Sequence, residues 1–146
     1  MTRIDFYQLA SRSADAREHF ACRLAEKAVK AGTKVLIATQ NEAMSTAMDE
    51  RLWRFTPESF VPHTANTNSA IERINSLVII SHHDEEHNQH DLLINLRSSL
   101  PAYFSHFARL AEIIIDEPSV LSASREHWQF CKSRGYPMNH HKIAKV

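Results

Sequence analysis

The densest run of chemistry-bearing side chains spans residues 81–90. There His82, His83, His87 and His90 are interleaved with Asp84, Glu85 and Glu86, and Asp91 follows. On a helix, His83, His87 and His90 would share one face, and imidazoles beside carboxylates are a zinc ligand set. Asn88 and Gln89, the run of acids and the lack of a nearby Cys favour a solvated loop instead. Adventitious nickel or zinc is expected there; a catalytic metal is not. No G-x-S-x-G elbow exists, and neither Cys22 nor Cys131 sits in the local signature of a catalytic thiol. A metal- or nucleotide-using α/β enzyme built on the 82–90 loop is the alternative function; otherwise no metal, cofactor or catalytic residue is expected.

Two other constellations suit binding rather than turnover. Leu121, Arg125, Trp128 and Lys132 recur at spacings of four, three and four, which places them on one helix face. A guanidinium, a large aromatic and an ammonium together suit a short acidic peptide with an apolar end. Ala123, His127 and Phe130 fall on the opposite side and are expected to supply the core contact. The competing reading makes Trp128 core, with the cations solvating the surface and offsetting the helix dipole. The second constellation is Trp53, Phe55 and Phe60: either a core edge or an exposed anchor patch for a partner.

Composition narrows the classes. Seventeen Lys+Arg balance seventeen Asp+Glu, so the chain is not built chiefly to neutralise a phosphate backbone. Its two glycines, Gly32 and Gly135, cannot write a Walker loop or a G-x-G-x-x-G turn. No apolar run approaches the ~20 residues of a membrane span, and the first residues hold no signal-type apolar stretch. The two cysteines lie far apart and read as reduced thiols. With 146 residues, a single cytoplasmic domain covering 1–146 is expected.

The elements that must position these residues follow from periodicity. Arg3 to Leu9 alternates as a strand. Ser13 caps a helix with Phe20, Leu24 and Ala28 on one stripe, and Gly32 ends it. Lys34-Val-Leu-Ile-Ala38 is a continuous apolar run, the mark of a strand covered on both faces. Asn41 caps a second helix carrying Met44, Met48 and Leu52. An extended stretch at 59–63 leads into a polar loop at 64–75. Strands follow at 77–80, 92–95 and 112–115, the last of the chain, with a short helix at 101–107. A final helix occupies 119–134 and Gly135 ends it. The segment 136–146 reads as a basic tail with little to bury. Strand–helix alternation predicts an α/β fold with a mostly parallel sheet.

Several segments together resemble a known family. They are the Asp5-Phe-Tyr strand, Lys34-Val-Leu-Ile-Ala38, Asp49-Glu-Arg-Leu-Trp53, Glu58-Ser-Phe-Val-Pro-His63, Asp91-Leu-Leu-Ile-Asn-Leu96 and the run from Arg125 to Gly135. Over nearly its full length the chain is similar to the chi subunits of bacterial DNA polymerase III. The resemblance implies a Rossmann-like domain without a Gly-rich nucleotide loop, and a non-catalytic accessory subunit of the replicase. It implies two partners. One is the psi subunit, with contacts carried onto Trp53, Phe60, Pro62 and His63, a surface that a helicase could also use. The other is the acidic, Phe-ended C-terminal tail of single-stranded DNA-binding protein, carried onto Arg125, Trp128, Lys132 and Ile114. Nucleic acid would be met only indirectly, and no membrane is involved. Leu121 and Gln129 stand where the family often has Lys or Arg, which turns attention to Arg134 or Lys142 as compensating cations.

Overall fold

The computed structural model describes residues 1–55, 63–65, 77–84 and 90–144. Its strands are β1 (Arg3–Leu9), β2 (Val35–Ala38), β3 (His63–Ala65), β4 (Val78–Ser81), β5 (Leu92–Asn95), β6 (Arg109–Ile114) and β7 (Met138–Ile143). They form one sheet in the order β3-β4-β2-β5-β6-β1-β7, and every neighbouring pair is parallel. The helices are α1 (Ala14–Lys30), α2 (Glu42–Phe55) and α3 (Pro118–Ser133), with one 3-10 turn at Phe104–His106. This is the α/β class expected from the strand–helix alternation.

Local chemistry sets the helix ends. Ser13 accepts a hydrogen bond from the Ala16 amide at 3.3 Å, and Asn41 Oδ1 accepts one from the Met44 amide at 2.9 Å. Glu117 does the same for the Val120 amide at 3.1 Å, ahead of Pro118 at the first turn of α3. Gly32 and Gly135 both hold positive φ (83° and 77°), the left-handed conformation that closes α1 and α3.

Because side chains alternate across a strand, the sheet presents two apolar faces. Val35, Ile37, Val78, Ile80, Leu92, Ile94 and Ile113 meet α1 and α2. On the other face, Ile4, Phe6, Leu36, Leu93, Leu110 and Ile114 meet α3 and the Tyr103–Phe107 segment. The central strands β2, β4 and β5 are buried at every position, which explains why they are apolar except for Ser81 and Asn95 at the ends of β4 and β5.

Three expectations are corrected. The strand at 109–114 is not the last: the supposed tail holds β7, which pairs in parallel with β1 from Ile4↔Met138 to Leu9↔Ile143. Its side chains are mostly exposed, so it has no apolar signature; backbone pairing to β1 makes it a strand. Asp5 reinforces that pairing, with Asn139 Nδ2 at 3.3 Å and His141 Nε2 at 3.2 Å from Oδ1, while Arg109 Nε sits 2.6 Å from Oδ2. Burial works against the Asp5 carboxylate, yet the bonds from His141 and Arg109 win and hold it below its ordinary range. Second, Thr64 and Ala65, read as loop, belong to β3. Third, the short helix at 101–107 is a single 3-10 turn.

Both cysteines are buried within the sheet–helix interfaces, Cys22 under α1 and Cys131 under α3. Burial pushes the Cys22 thiol up to about 12 and that of Cys131 up to about 11. Neither forms thiolate at neutral pH, and neither reacts as one. With a chromogenic disulfide reagent at pH 8, the folded protein should release almost no thiol product within minutes. Both thiols should titrate at once in guanidinium chloride; rapid native reaction of either would contradict this packing.

Candidate functional site

The crossover from β6 through α3 to β7 passes above β1, and a groove opens where α3 leans over that strand. It encloses about 270 Å³ and is walled by Phe6 and Gln8 of β1, Ile114 of β6, His140 of β7, and Leu121, Ser124, Arg125, Trp128 and Gln129 of α3. The strand registers place these groups side by side: Gln8 lies opposite Ile114, and Phe6 lies opposite His140. Ile114 of β6 and Arg125 and Trp128 of α3 therefore share one concavity.

Trp128 reconciles its two sequence readings. Its ring meets Phe6 edge-on at 5.0 Å between centroids, which anchors it to the core, and it remains half-buried along the groove. His140 approaches its other side at 6.5 Å, nearly perpendicular. Such aromatic pairs contribute about 0.5–1.5 kcal/mol beyond their buried area, so the indole is held as a fixed apolar wall. Arg125 is exposed on the same wall, and among the described residues no carboxylate lies within ion-pair distance of it. A guanidinium beside an apolar wall and an apolar floor residue is suited to a carboxylate-bearing ligand with an apolar end.

On its inner side α3 is fastened by a buried polar tie. His127 Nδ1 lies 2.6 Å from Glu112 Oε1 on β6, and Asn95 Nδ2 of β5 donates to the same oxygen at 3.1 Å. All three side chains are buried. Burial alone would lower the His127 imidazolium, but the hydrogen bond and charge of Glu112, with help from the Ser98 backbone and Glu126, raise it above its ordinary value. A second cleft, of about 180 Å³, opens beside this tie at the carboxyl ends of β5 and β6. Arg17 lines it and donates to the carbonyls of Ile113 (2.8 Å) and Leu96 (3.2 Å).

Other expected residues fall elsewhere. Lys132 is exposed one turn beyond Trp128 and does not line the groove. Phe130, expected on the core side of α3, is 40% exposed, and Cys131 takes the buried place instead. The helix's inner stripe runs through His127 and Cys131, a spacing of four. Arg134 stacks over the Phe130 ring at 4.8 Å, and neither it nor Lys142 lines the groove. His140 does line it, which the sequence reading missed because 136–146 was taken as tail. Trp53 lies in the last turn of α2 and His63 begins β3, two elements that pack together, whereas Phe60 and Pro62 lie outside the described residues. In the His-rich stretch, His82 Nδ1 lies 3.1 Å from Ser45 Oγ and His82 and His83 pack ring to ring, while His87 lies outside the described residues. Among the described residues no three His, Cys, Asp or Glu side chains converge as a metal site. No described helix is long and apolar enough to cross a membrane.

Comparison with solved structures defines the class first: a parallel α/β domain. The crystal structure of T4 UvsW superposes with a TM-score of 0.71 at 8% identity, over 99% of this chain and 42% of that one. Domain 2 of the Mss116p DEAD-box helicase, bound to an RNA duplex, gives 0.63 at 12% identity, over 97% of this chain and 65% of that one. At such identities only the fold is shared. Sequence identifies the family. The family model "DNA polymerase III chi subunit, HolC" matches residues 1–139. The DNA polymerase III subunit chi of Pseudomonas aeruginosa is 37% identical over 146 residues, the whole of both chains. That of Haemophilus influenzae is 29% identical over 140 residues, 95% of this chain and 96% of that protein. The Escherichia coli subunit is 30% identical over 125 residues, 85% of this chain and 84% of that one. The chain belongs to the DNA polymerase III chi family, an accessory and not a catalytic subunit of the replicase.

The buried tie generates a stability prediction with a definite sign. Because folding raises the His127 value, the stability it contributes is fully present below the ordinary histidine range and is lost as pH rises through the raised value. Urea unfolding at a series of pH values should show wild type losing more stability on the alkaline side than His127→Gln does. His127→Ala, which leaves the Glu112 carboxylate buried beside Asn95 alone, should cost about 3 kcal/mol at pH 6. Parallel pH profiles for wild type and His127→Gln would remove His127 as the titrating group.

Proposed function

We propose that the α3 groove captures the acidic, Phe-ended C-terminal tail of single-stranded DNA-binding protein, and that the α2–β3 surface binds the psi subunit. The chain then acts as a cytoplasmic adaptor linking the clamp loader to coated template. The single observation that carries the first half is the convergence of Arg125, Trp128 and Ile114 on one concavity. Arg125 meets a carboxylate of the tail, while Trp128 and Ile114 form the apolar wall for the terminal ring. Lys132 lies outside the concavity and acts at most through space, where exposed charges are screened over about 10 Å at 0.1 M salt.

Support for the second half comes from the packing of α2 against β3, the two elements that carry Trp53 and His63. In the sequence Phe60 and Pro62 stand three residues and one residue before His63. A helicase is the other partner such a surface would take. Nucleic acid is reached only through these proteins, in keeping with a net charge of zero.

Fluorescence anisotropy of a labelled acidic peptide ending in Phe tests the groove. Arg125→Ala should weaken binding by about 1.5–3 kcal/mol, the scale of a hydrogen bond to a charged group. Lys132→Ala should change it by less than about 0.5 kcal/mol at moderate salt. Unchanged affinity in a folded Arg125→Ala protein would remove the groove assignment. For the second surface, Trp53→Ala should abolish co-purification with psi while leaving peptide affinity intact; a variant that still co-purifies would place psi elsewhere.

A further inference from the structure

The groove has an imbalance of charge. Of its nine wall residues, only Arg125 carries a permanent charge; Leu121 is apolar, and Gln8, Ser124 and Gln129 are neutral. An acidic segment brings several carboxylates, and a single guanidinium satisfies one. Among the described residues of the wall the other ionisable side chain is His140, contributed by β7 where Arg125 comes from α3.

We propose that His140 is the second cation of the groove, so that capture of an acidic peptide is switched by the protonation of this imidazole. The inference rests on the tail-binding reading above and adds the pH control of that site. Three features of the site support it. His140 is exposed, so protonation needs no structural opening. Its Nε2 lies 2.9 Å from Gln8 Oε1, an acceptor, so Nε2–H donates there and the added proton goes to Nδ1. Trp128 stands edge-on to the ring at 6.5 Å and fixes its outlook on the groove. A carboxylate in the groove meets the Arg125 guanidinium and, when the ring carries its second proton, the His140 imidazolium.

The charged surroundings leave His140 as the group that responds. From α3 the groove receives Arg125, while Glu126 does not line it. The other α3 imidazole, His127, is buried against Glu112 on the inner side of the helix. From β1 comes the neutral Gln8; the carboxylate of Asp5 belongs to the opposite sheet face and is occupied by Arg109, His141 and Asn139. On β7 itself Lys142 lies two residues on, on the same face but outside the groove lining.

The test is the affinity of the labelled acidic, Phe-ended peptide at pH 5.8 and pH 8.0 at constant ionic strength. For wild type, binding should weaken by roughly three- to tenfold at the higher pH. His140→Gln should bind equally at both values, near the wild-type level at pH 8.0. His140→Lys should bind at both values as tightly as wild type does at pH 5.8. Wild-type binding that is strong but independent of pH overturns this proposal and leaves the groove reading standing. The same dependence persisting in His140→Gln also overturns it and transfers the effect to His127. Absence of binding by wild type at either pH overturns both readings.

Discussion

The groove exists because β1 is paired on both sides by strands that arrive late in the chain. β6 lies along one edge of it and β7 along the other, all three parallel. Parallel neighbours cannot be joined by a tight turn, so the chain leaving β6 must return to the starting end of the sheet before β7 begins. The only cover available for that return is α3, and its path necessarily crosses β1. A helix crossing a strand at its exposed end cannot seal every gap along the crossing. The Phe6–Trp128 contact closes the crossing at one point, and the space beside it remains as the groove.

That geometry assigns opposite duties to the two sides of α3. The inner side carries His127 and Cys131, tied through Glu112 and Asn95 to β6 and β5. A buried ion pair of this kind is weak as a source of net stability, because desolvation offsets much of its attraction. Its value is positional: only one rotation of α3 about its axis lets His127 reach Glu112. The same rotation directs Arg125 and Trp128 toward Ile114 and β7. Replacing the tie by apolar residues of equal volume would keep the helix on the sheet and loosen its azimuth.

Much of this was readable in the residues, and the rest was hidden for identifiable reasons. Strands β2, β4 and β5 are covered on both faces, so their side chains are apolar up to Ser81 and Asn95 at the last positions of β4 and β5, and they announce themselves. The ends of α1 and α3 carry side chains that bond the first free amides and glycines that take positive φ, signals confined to a few residues. Arg125 and Trp128 were visible as one helical face. β7 was not, because an edge strand exposes its side chains and is selected by its backbone: Met-Asn-His-His-Lys-Ile has the polarity of a loop. Missing β7 meant missing His140. Phe130 was misplaced for a related reason. An aromatic at helical spacing is usually core, yet here Arg134 covers its ring from outside while the smaller Cys131 fits against the sheet.

The zero net charge of the chain and its place as an accessory subunit of the replicase are compatible once distance is considered. Charges more than about 10 Å apart are largely screened at 0.1 M salt, so a partner senses the few groups lining a groove and not the total. Balancing the rest of the surface removes the general attraction to phosphate that a basic face would bring. For a protein working beside nucleic acid, such attraction would compete with any specific contact made elsewhere. A groove holding one guanidinium, one imidazole and an aromatic wall discriminates differently. It suits a short segment that joins carboxylates to an apolar end, a combination that nucleic acid does not offer. Neutrality elsewhere thus leaves the groove, with Arg125 beside Trp128, as a local feature that the total charge does not mask.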